Sequence, residues 1–312
     1  MPWVKRGLVY APNGQYEWNQ THAQVPVVDI VDEEVWRIYY ASRDARGKSH
    51  TSYIEVEAGN PKHILYEHDA PILSLGSMGT FDDSGIVPSW IVTAGRCKYL
   101  YYIGWTLKVT VPYHNSIGLA VSNDGGKTFR KYGEGPLFDS TLLEPLFTAS
   151  SCVLVEDGVW KNWYLSCTKW EVISGKPEPF YHIKYAESPD GIHWERKGIV
   201  AIDYKSKDEG GLARPSILKE HRRYKAWYCY RGAENYRTDI TKTYRIGYAE
   251  SADGIHWTRM DDAAGIDVSD DGWDSQMIAY PHVVQCRDTK YMFYNGNGFG
   301  ATGFGYATYE SD

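Results

Sequence analysis

Five times along this chain an aromatic pair ends an apolar run, and each time the second member is tyrosine: "RIYYASR", "YLYYIGW", "KNWYLSC", "KAWYCYR" and "YMFYNGN". These tyrosines, Tyr40, Tyr102, Tyr164, Tyr228 and Tyr294, lie 62, 62, 64 and 66 residues apart. About twelve to fourteen residues before each stands a second marker, Pro26, Pro88, Ser151, Pro215 or Pro281, followed by apolar residues ("PVVDI", "PSWIV", "SCVLV", "PSILK", "PHVVQ"). A fixed period of about 63 residues constrains the fold more than any single motif, because each unit must bury its faces against copies of itself.

Each unit reads as four strands. Strand one follows the marker, and a tight turn such as "VEDGVW" leads to strand two, which ends at the aromatic pair. Strand three is "IGLAVS", "IKYAES" or "IGYAES". A short turn then leads to strand four, in the phrases "LAVSNDGGKTFRK" from Leu119, "YAESPDGIHWERKGIV" from Tyr185 and "YAESADGIHWTRM" from Tyr248. Asp124, Asp190 and Asp253 are read as turn residues, since Asp and Gly satisfy tight turns. Four antiparallel strands repeated radially make a propeller blade. The expected fold is therefore all-β: one five-bladed β-propeller domain over 1–312, with blades at about 20–75, 82–138, 144–202, 209–265, and 274–312 plus 3–9. The last phrase, "YATYESD", stops after strand three, and "WVKRGLV" at the start aligns with "WERKGIV" at Trp194. The N-terminal strand is thus expected to close the last blade and cover its open edge. The "SxDGxxW" pattern resembles the Asp-box turn of sialidase propellers.

Aromatic content of 15%, with 26 Tyr and 12 Trp, suits pleated, half-buried surfaces. A net charge of −7 argues against nucleic acid as partner. No run of about 18 apolar residues predicts a membrane span, and "MPWVKRGLVYAP" has no apolar core of a secretory signal, so the cytoplasm is the expected location. Cys97, Cys152, Cys167, Cys229 and Cys286 form no CxxC pair and read as reduced strand residues.

The turns between strands one and two, and three and four, are short. The strand two–three loops and the blade-to-blade loops are long and share the opposite face, so the functional site is expected there, at the mouth of the central channel. Two sets of residues reach that mouth. Before strand one come His22, Asp82, Asp83, Glu144, Asp208, Glu209, Arg214 and Asp274. After strand two come Arg43, Asp44, Trp105, Tyr113, His114, Lys169, Trp170, Arg231, Asn295 and Asn297. Converging carboxylates drive one of their number to a raised pKa, and a raised acid beside an ionised carboxylate can cleave a glycosidic bond. Trp and Tyr offer faces to sugar rings, and Arg43, Arg214 and Arg231 suit bidentate binding of phosphate or carboxylate.

The arrangement resembles the five-bladed glycosidase-like superfamily, which includes the arabinanases and β-xylosidases of glycoside hydrolase family 43, the invertase-type enzymes and the mannoside phosphorylases. The resemblance spans nearly the whole chain through the blade repeat, and is greatest to the family-43-like glycosyl hydrolases. It implies catalytic carboxylates at the inner ends of different blades, and by position these are Asp83 of "FDDSGIVPS", Glu209 of "DEGGLARPS" and Asp274. Glu209 is expected as general acid, Asp83 as base or nucleophile, and Asp274 as a modulator of pKa or a hydroxyl ligand. His22, Arg43, Asp82, Trp105, His114, Glu144, Lys169, Trp170, Arg214, Arg231 and Asn295 are expected to bind the saccharide. The sequence departs from the family in the first blade, where Thr21 and His22 replace the usual Asp; "APNG" at Ala11 lacks the Asp of the invertase motif. No cofactor is required by this reading; His22 is the residue that could ligate a central Ca2+, as a His does in some relatives. The alternatives are phosphorolysis with phosphate held by the basic residues, a biosynthetic step on a nucleotide sugar or surface polysaccharide, and saccharide binding without catalysis.

Overall fold

The structure is a computed structural model that describes residues 2–310, so Ser311 and Asp312 of the closing "YATYESD" lie outside the described residues. The N-terminal strand is β1 (Trp3–Tyr10). Four strands follow: β2 (Thr21–Ile30), β3 (Val35–Arg43), β4 (Ser49–Glu57) and β5 (Asn60–Glu67). The next four are β6 (Gly85–Ala94), β7 (Cys97–Leu107), β8 (Tyr113–Ser122) and β9 (Arg130–Lys131). Then come β10 (Thr148–Glu156), β11 (Val159–Ile173), β12 (Lys176–Ser188) and β13 (Glu195–Ile202). They are followed by β14 (Glu209–Glu220), β15 (Arg223–Gly232), β16 (Arg245–Ser251) and β17 (Trp257–Arg259). The chain ends with β18 (Ala279–Cys286), β19 (Thr289–Asn295) and β20 (Phe304–Tyr309).

The strands form one four-stranded and two eight-stranded sheets. Each eight-stranded sheet consists of two antiparallel fours joined by one parallel pairing, Ser49 with Gly85 or Tyr181 with Gly211. The four-stranded sheet has the order β1-β20-β19-β18, with Trp3 opposite Tyr309 and Tyr10 opposite Phe304. The N-terminal strand thus covers the edge of the last set, as the matching phrases predict. The leading strands pack in sequence, β2 on β6, β6 on β10, β10 on β14, β14 on β18 and β18 on β2, which closes a ring. They are almost continuously buried, for example from Ala23 to Asp29, because neighbouring sets cover both their faces.

The aromatic pair that marks the repeat performs two separate tasks. Its first member reaches the next set. Tyr39 donates a hydrogen bond to the Gly126 carbonyl, Tyr101 to that of Gly191 and Trp163 to that of Gly254, and each acceptor belongs to an Asp-box turn. Its second member, the invariable Tyr, holds a carboxylate within its own set: Tyr102 with Asp82 (3.0 Å), Tyr164 with Glu144 (2.7 Å), Tyr228 with Asp261 and Tyr294 with Asp274 (2.9 Å). A cation from or next to the outermost strand completes each clamp: Lys131, Arg196, Arg259 and Lys5 respectively. In the first set Tyr40 reaches Glu67 through the hydroxyl of Tyr10.

Candidate functional site

Each leading strand carries a bulge at its marker, between Gln24 and Val27, Pro88 and Trp90, Ala149 and Ser151, Ala213 and Ser216, or Ala279 and His282. At four of the five, the residue before the marker has left-handed backbone: Val25 (φ 53°), Ser150 (φ 47°), Arg214 (φ 52°) and Tyr280 (φ 55°). Non-glycine residues adopt this conformation only where surrounding structure enforces it. Here a bulge re-aims one side chain toward the ring axis. Val25, Ser150 and Tyr280, with Val87 and Ala213, form the floor of a cavity of about 410 Å³.

The walls come from all five strand two–three loops and their flanking strands: Arg43 and Ser49; Trp105 and Tyr113; Leu165 and Tyr181; Tyr236, Arg237 and Tyr244; and Phe299. The cavity therefore lies on the face of the long loops. Glycines let the aromatic walls close. A Cβ on Gly211 would fall 2.4 Å from the ring of Tyr181, and one on Gly85 would fall 1.9 Å from the indole nitrogen of Trp105.

The electrostatics of the cavity are one-sided. No Asp or Glu is among its lining residues, whereas Arg43, Arg237 and His22 are. Arg43 donates from Nε to the Gln24 carbonyl oxygen Oε1 (3.2 Å), and among the described residues it has no carboxylate partner. Burial lowers its pKa, Tyr280 raises it, and the like charge of Arg237 lowers it further. Arg237 meets Glu178 from outside the wall (3.3 Å), and both it and Arg231 stack on the ring of Tyr236, at 4.7 and 3.7 Å. His22 is pushed down to about 4, first by burial and then by Arg43, so it is neutral near pH 7. A central Ca2+ does not fit this donor set. The neighbour of His22 is a guanidinium, and no three His, Cys, Asp or Glu side chains among the described residues converge to hold a metal.

Of the residues expected from the sequence, His22, Arg43, Trp105 and Tyr113 line the cavity. The proposed catalytic trio does not. Asp274 is 2% exposed and clamped by Tyr294 and by Lys5 (2.7 Å). Glu209 lies beside a separate peripheral pocket, bidentate to Arg259 at 2.6 and 2.9 Å. Asp83 accepts from the Gly79 N–H (2.9 Å) and the Ser84 hydroxyl (2.8 Å). Slight desolvation raises its pKa, but these bonds, the Thr106 hydroxyl and Lys48 leave it below the usual carboxylate range, not above it. Asp82 and Glu144, expected to bind substrate, are buried in the clamps. Three of the acids before strand one, Asp82, Glu144 and Asp274, thus belong to a repeated tyrosine–carboxylate–cation unit, whose carboxylate in the fourth set is Asp261, after strand four.

The remaining expected residues support the wall or stand outside it. Trp170 packs edge-on against Tyr113 and at a tilt against Phe147. Arg231 donates to the Tyr181 hydroxyl (3.0 Å) and the Pro179 carbonyl (2.5 Å). Asn295 braces β2 through the Val25 N–H and the Ala23 carbonyl. His114 pairs with Asp139 (2.7 Å) and Lys169 with Glu171 (2.6 Å), while Arg214 is enclosed below the floor. The sequence reading missed Tyr181, Tyr236, Arg237, Tyr244, Tyr280 and Phe299. Arg237 and Tyr236 stand in "YRGAENYR", the segment that also holds Arg231. Tyr280 had a signal too, as the residue immediately before its Pro marker.

No family model matches the sequence. Two curated proteins of Mycobacterium tuberculosis, uncharacterized protein MT1551 (strain CDC 1551 / Oshkosh) and uncharacterized protein Rv1502 (strain ATCC 25618 / H37Rv), are each 37% identical over 311 residues, covering the full length of this protein and of each relative. Among solved structures, a glycoside hydrolase aligns with a TM-score of 0.70 at 16% identity, over 98% of this protein and 90% of the other. A thermostable family-43 glycoside hydrolase aligns at 0.66 and 16% identity, over 97% and 94%. A glycosyl hydrolase from Bacteroides ovatus aligns at 0.71 and 15% identity, over 99% and 94%. Full-length similarity to the mycobacterial pair and ring-wide similarity to these hydrolases lead to one conclusion: the protein belongs to the family of the two mycobacterial proteins, and its all-β fold is that of the solved glycoside hydrolases with which it aligns.

Proposed function

We propose that this protein is a carbohydrate-active propeller, five blades of four strands in a single domain, that takes an anionic saccharide into its central cavity. The observation that carries the proposal is the charge of the cavity. A protein of net charge −7 lines this cavity with two arginines and, among the described residues, no carboxylate. Guanidinium groups suit planar anions, and the surrounding Trp105, Tyr113, Phe147, Tyr236 and Phe299 supply faces for sugar rings. Arg43 and Arg237 would receive the carboxylate or phosphate. His22, neutral, would donate to or accept from a hydroxyl.

Cleavage of the glycosidic bond is the reading favoured by the fold. The cavity does not support cleavage by Asp83, Glu209 and Asp274, which lie outside it. Within the glycosidase class, phosphorolysis accords better with the cations, because the nucleophile is then itself the anion held by Arg43 and Arg237. Among the described residues no helix is long and apolar enough to cross a membrane.

The test is calorimetric titration with a uronate-bearing oligosaccharide and its carboxyl-reduced neutral analogue, each with and without phosphate, with NMR detection of products. The anionic sugar, or the neutral one in the presence of phosphate, is expected to bind at least about tenfold tighter than the neutral sugar alone. Arg43→Ala and Arg237→Ala should each lose about ten- to a hundredfold, as expected for hydrogen bonds to charged groups. Equal affinity for charged and neutral sugars would refute the reading.

A further inference from the structure

Beneath the cavity floor, the ring encloses a cation that the cavity does not use. Arg214 has no exposed surface. Its Nη2 donates to the Pro26 carbonyl of β2 (3.2 Å) and to Nδ1 of His282 on β18 (2.9 Å). Its guanidinium lies 5.5 Å from the ring centroid of Trp90 on β6, and the thiols that act on its charge are Cys152 of β10 and Cys229 of β15. Arg214 itself belongs to β14, so all five leading strands meet around one side chain. Nε and Nη1 are buried with no hydrogen-bond partner among the described residues, and no carboxylate there bonds to the guanidinium.

A buried charge is normally paired, and arginine does not escape by losing its proton under ordinary conditions. Burial pulls Arg214 down to about 10, which still leaves it cationic at neutral pH. The neighbours do not provide the missing charge. His282 is held neutral, first by burial and then by Arg214, and burial pushes both thiols up to about 12. The left-handed backbone at Arg214 commits a non-glycine residue to a costly conformation in order to aim this group at the axis.

We propose that Arg214 anchors a small-anion site on the ring axis, where a monovalent inorganic anion of the chloride class accepts from Nε–H or from Nη1–H, the two donors left free on different edges of the guanidinium. The saccharide is not that anion, because Arg214 does not line the cavity and the floor above it is closed by Val25, Ser150, Ala213 and Tyr280. A multiply charged oxyanion would need more donors than Nε and Nη1 of Arg214 supply, since Nη2 is already engaged and the Cys229 thiol donates to the Ala213 carbonyl. The anion neutralises the point at which the five sets meet, so its effect is on ring stability and is independent of what the cavity binds.

Native crystals grown without chloride and soaked in sodium bromide test this directly. Diffraction at the bromine absorption edge should give an anomalous peak at hydrogen-bond distance from Arg214 Nε or Nη1. In solution, the Tm of the native protein should rise with chloride concentration relative to gluconate at equal ionic strength. Arg214→Met, or Arg214→Lys if the former does not fold, should lose that dependence on chloride whatever its own Tm. A bromide map without a peak at Arg214, or a native Tm that is the same in both salts, overturns the proposal.

Discussion

Glu144 sits among Tyr164, Lys184 and Arg196, with 1% of its side chain exposed. In sequence it is an acid on a long loop near the channel, with the same credentials as a catalytic carboxylate. In space its two cations and one hydroxyl engage both of its oxygens, and burial keeps it from a substrate. Replacing it with Gln leaves Lys184 and Arg196, both largely buried, without their counter-charge. Breaking a buried pair from one side costs about 3–5 kcal/mol. Glu144→Gln is therefore expected to lose about that much stability in urea unfolding while saccharide affinity in the folded protein is unchanged. A variant with native stability and lost activity would return Glu144 to the chemistry. The acids were visible in the sequence, but their partners were not, because Arg196 lies 52 residues from Glu144 and Lys5 lies 269 residues from Asp274.

At the scale of the element, the Asp-box turns are self-contained and were readable. Asp190 Oδ1 accepts from the Ile192 and His193 N–H groups (both 2.8 Å) and from the Ser188 hydroxyl (3.0 Å), and Asp253 repeats the pattern. The His193 and His256 side chains, then these backbone donors, hold both carboxyls well below the usual range. Asp124 is brought to about 2, because the Thr128 and Ser122 hydroxyls outweigh its slight desolvation. A depressed folded pKa gives stability that is complete above the unfolded value, about 3.9, and is lost as pH falls through the folded value. Tm should accordingly be insensitive to these groups from pH 7 to about 5 and fall between about pH 4 and 2. In Asp190→Ala, whose loss at pH 7 is about 1 kcal/mol, that fall should be shallower. An acid limb identical in native protein and variant would remove Asp190 from the account. The bulges in the leading strands belong to this scale as well, but only the Pro markers hinted at them.

The whole molecule depends on closure by a strand from the other end of the sequence. Trp3 is 5% exposed and packs edge-on against Trp227 and Tyr309, and β1 pairs along β20 from Trp3 to Tyr10. Trp3→Ala is expected to cost about 3–5 kcal/mol in chemical denaturation. Removal of residues 1–10 exposes the edge of β20, and an unpaired edge recruits other copies. Light scattering should then show self-association that the full-length protein lacks; a monomeric truncated protein with native Tm would contradict the role of β1 in closure.

The sequence by itself determined the period, the four-strand unit, the Asp-box turns, the closing strand and the face that carries the cavity. Those features rest on local chemistry and on copies of one pattern, and both are present in the order of residues. Only the tertiary structure decided which side chains face the axis. Tyr280 enters the cavity because a bulge turns it inward, Arg214 falls below the floor from the corresponding position, and Asp274 turns away to meet Lys5. Side-chain direction at a bulge and the choice of ion partner depend on packing between strands distant in sequence, and a 63-residue repeat does not encode either within one unit.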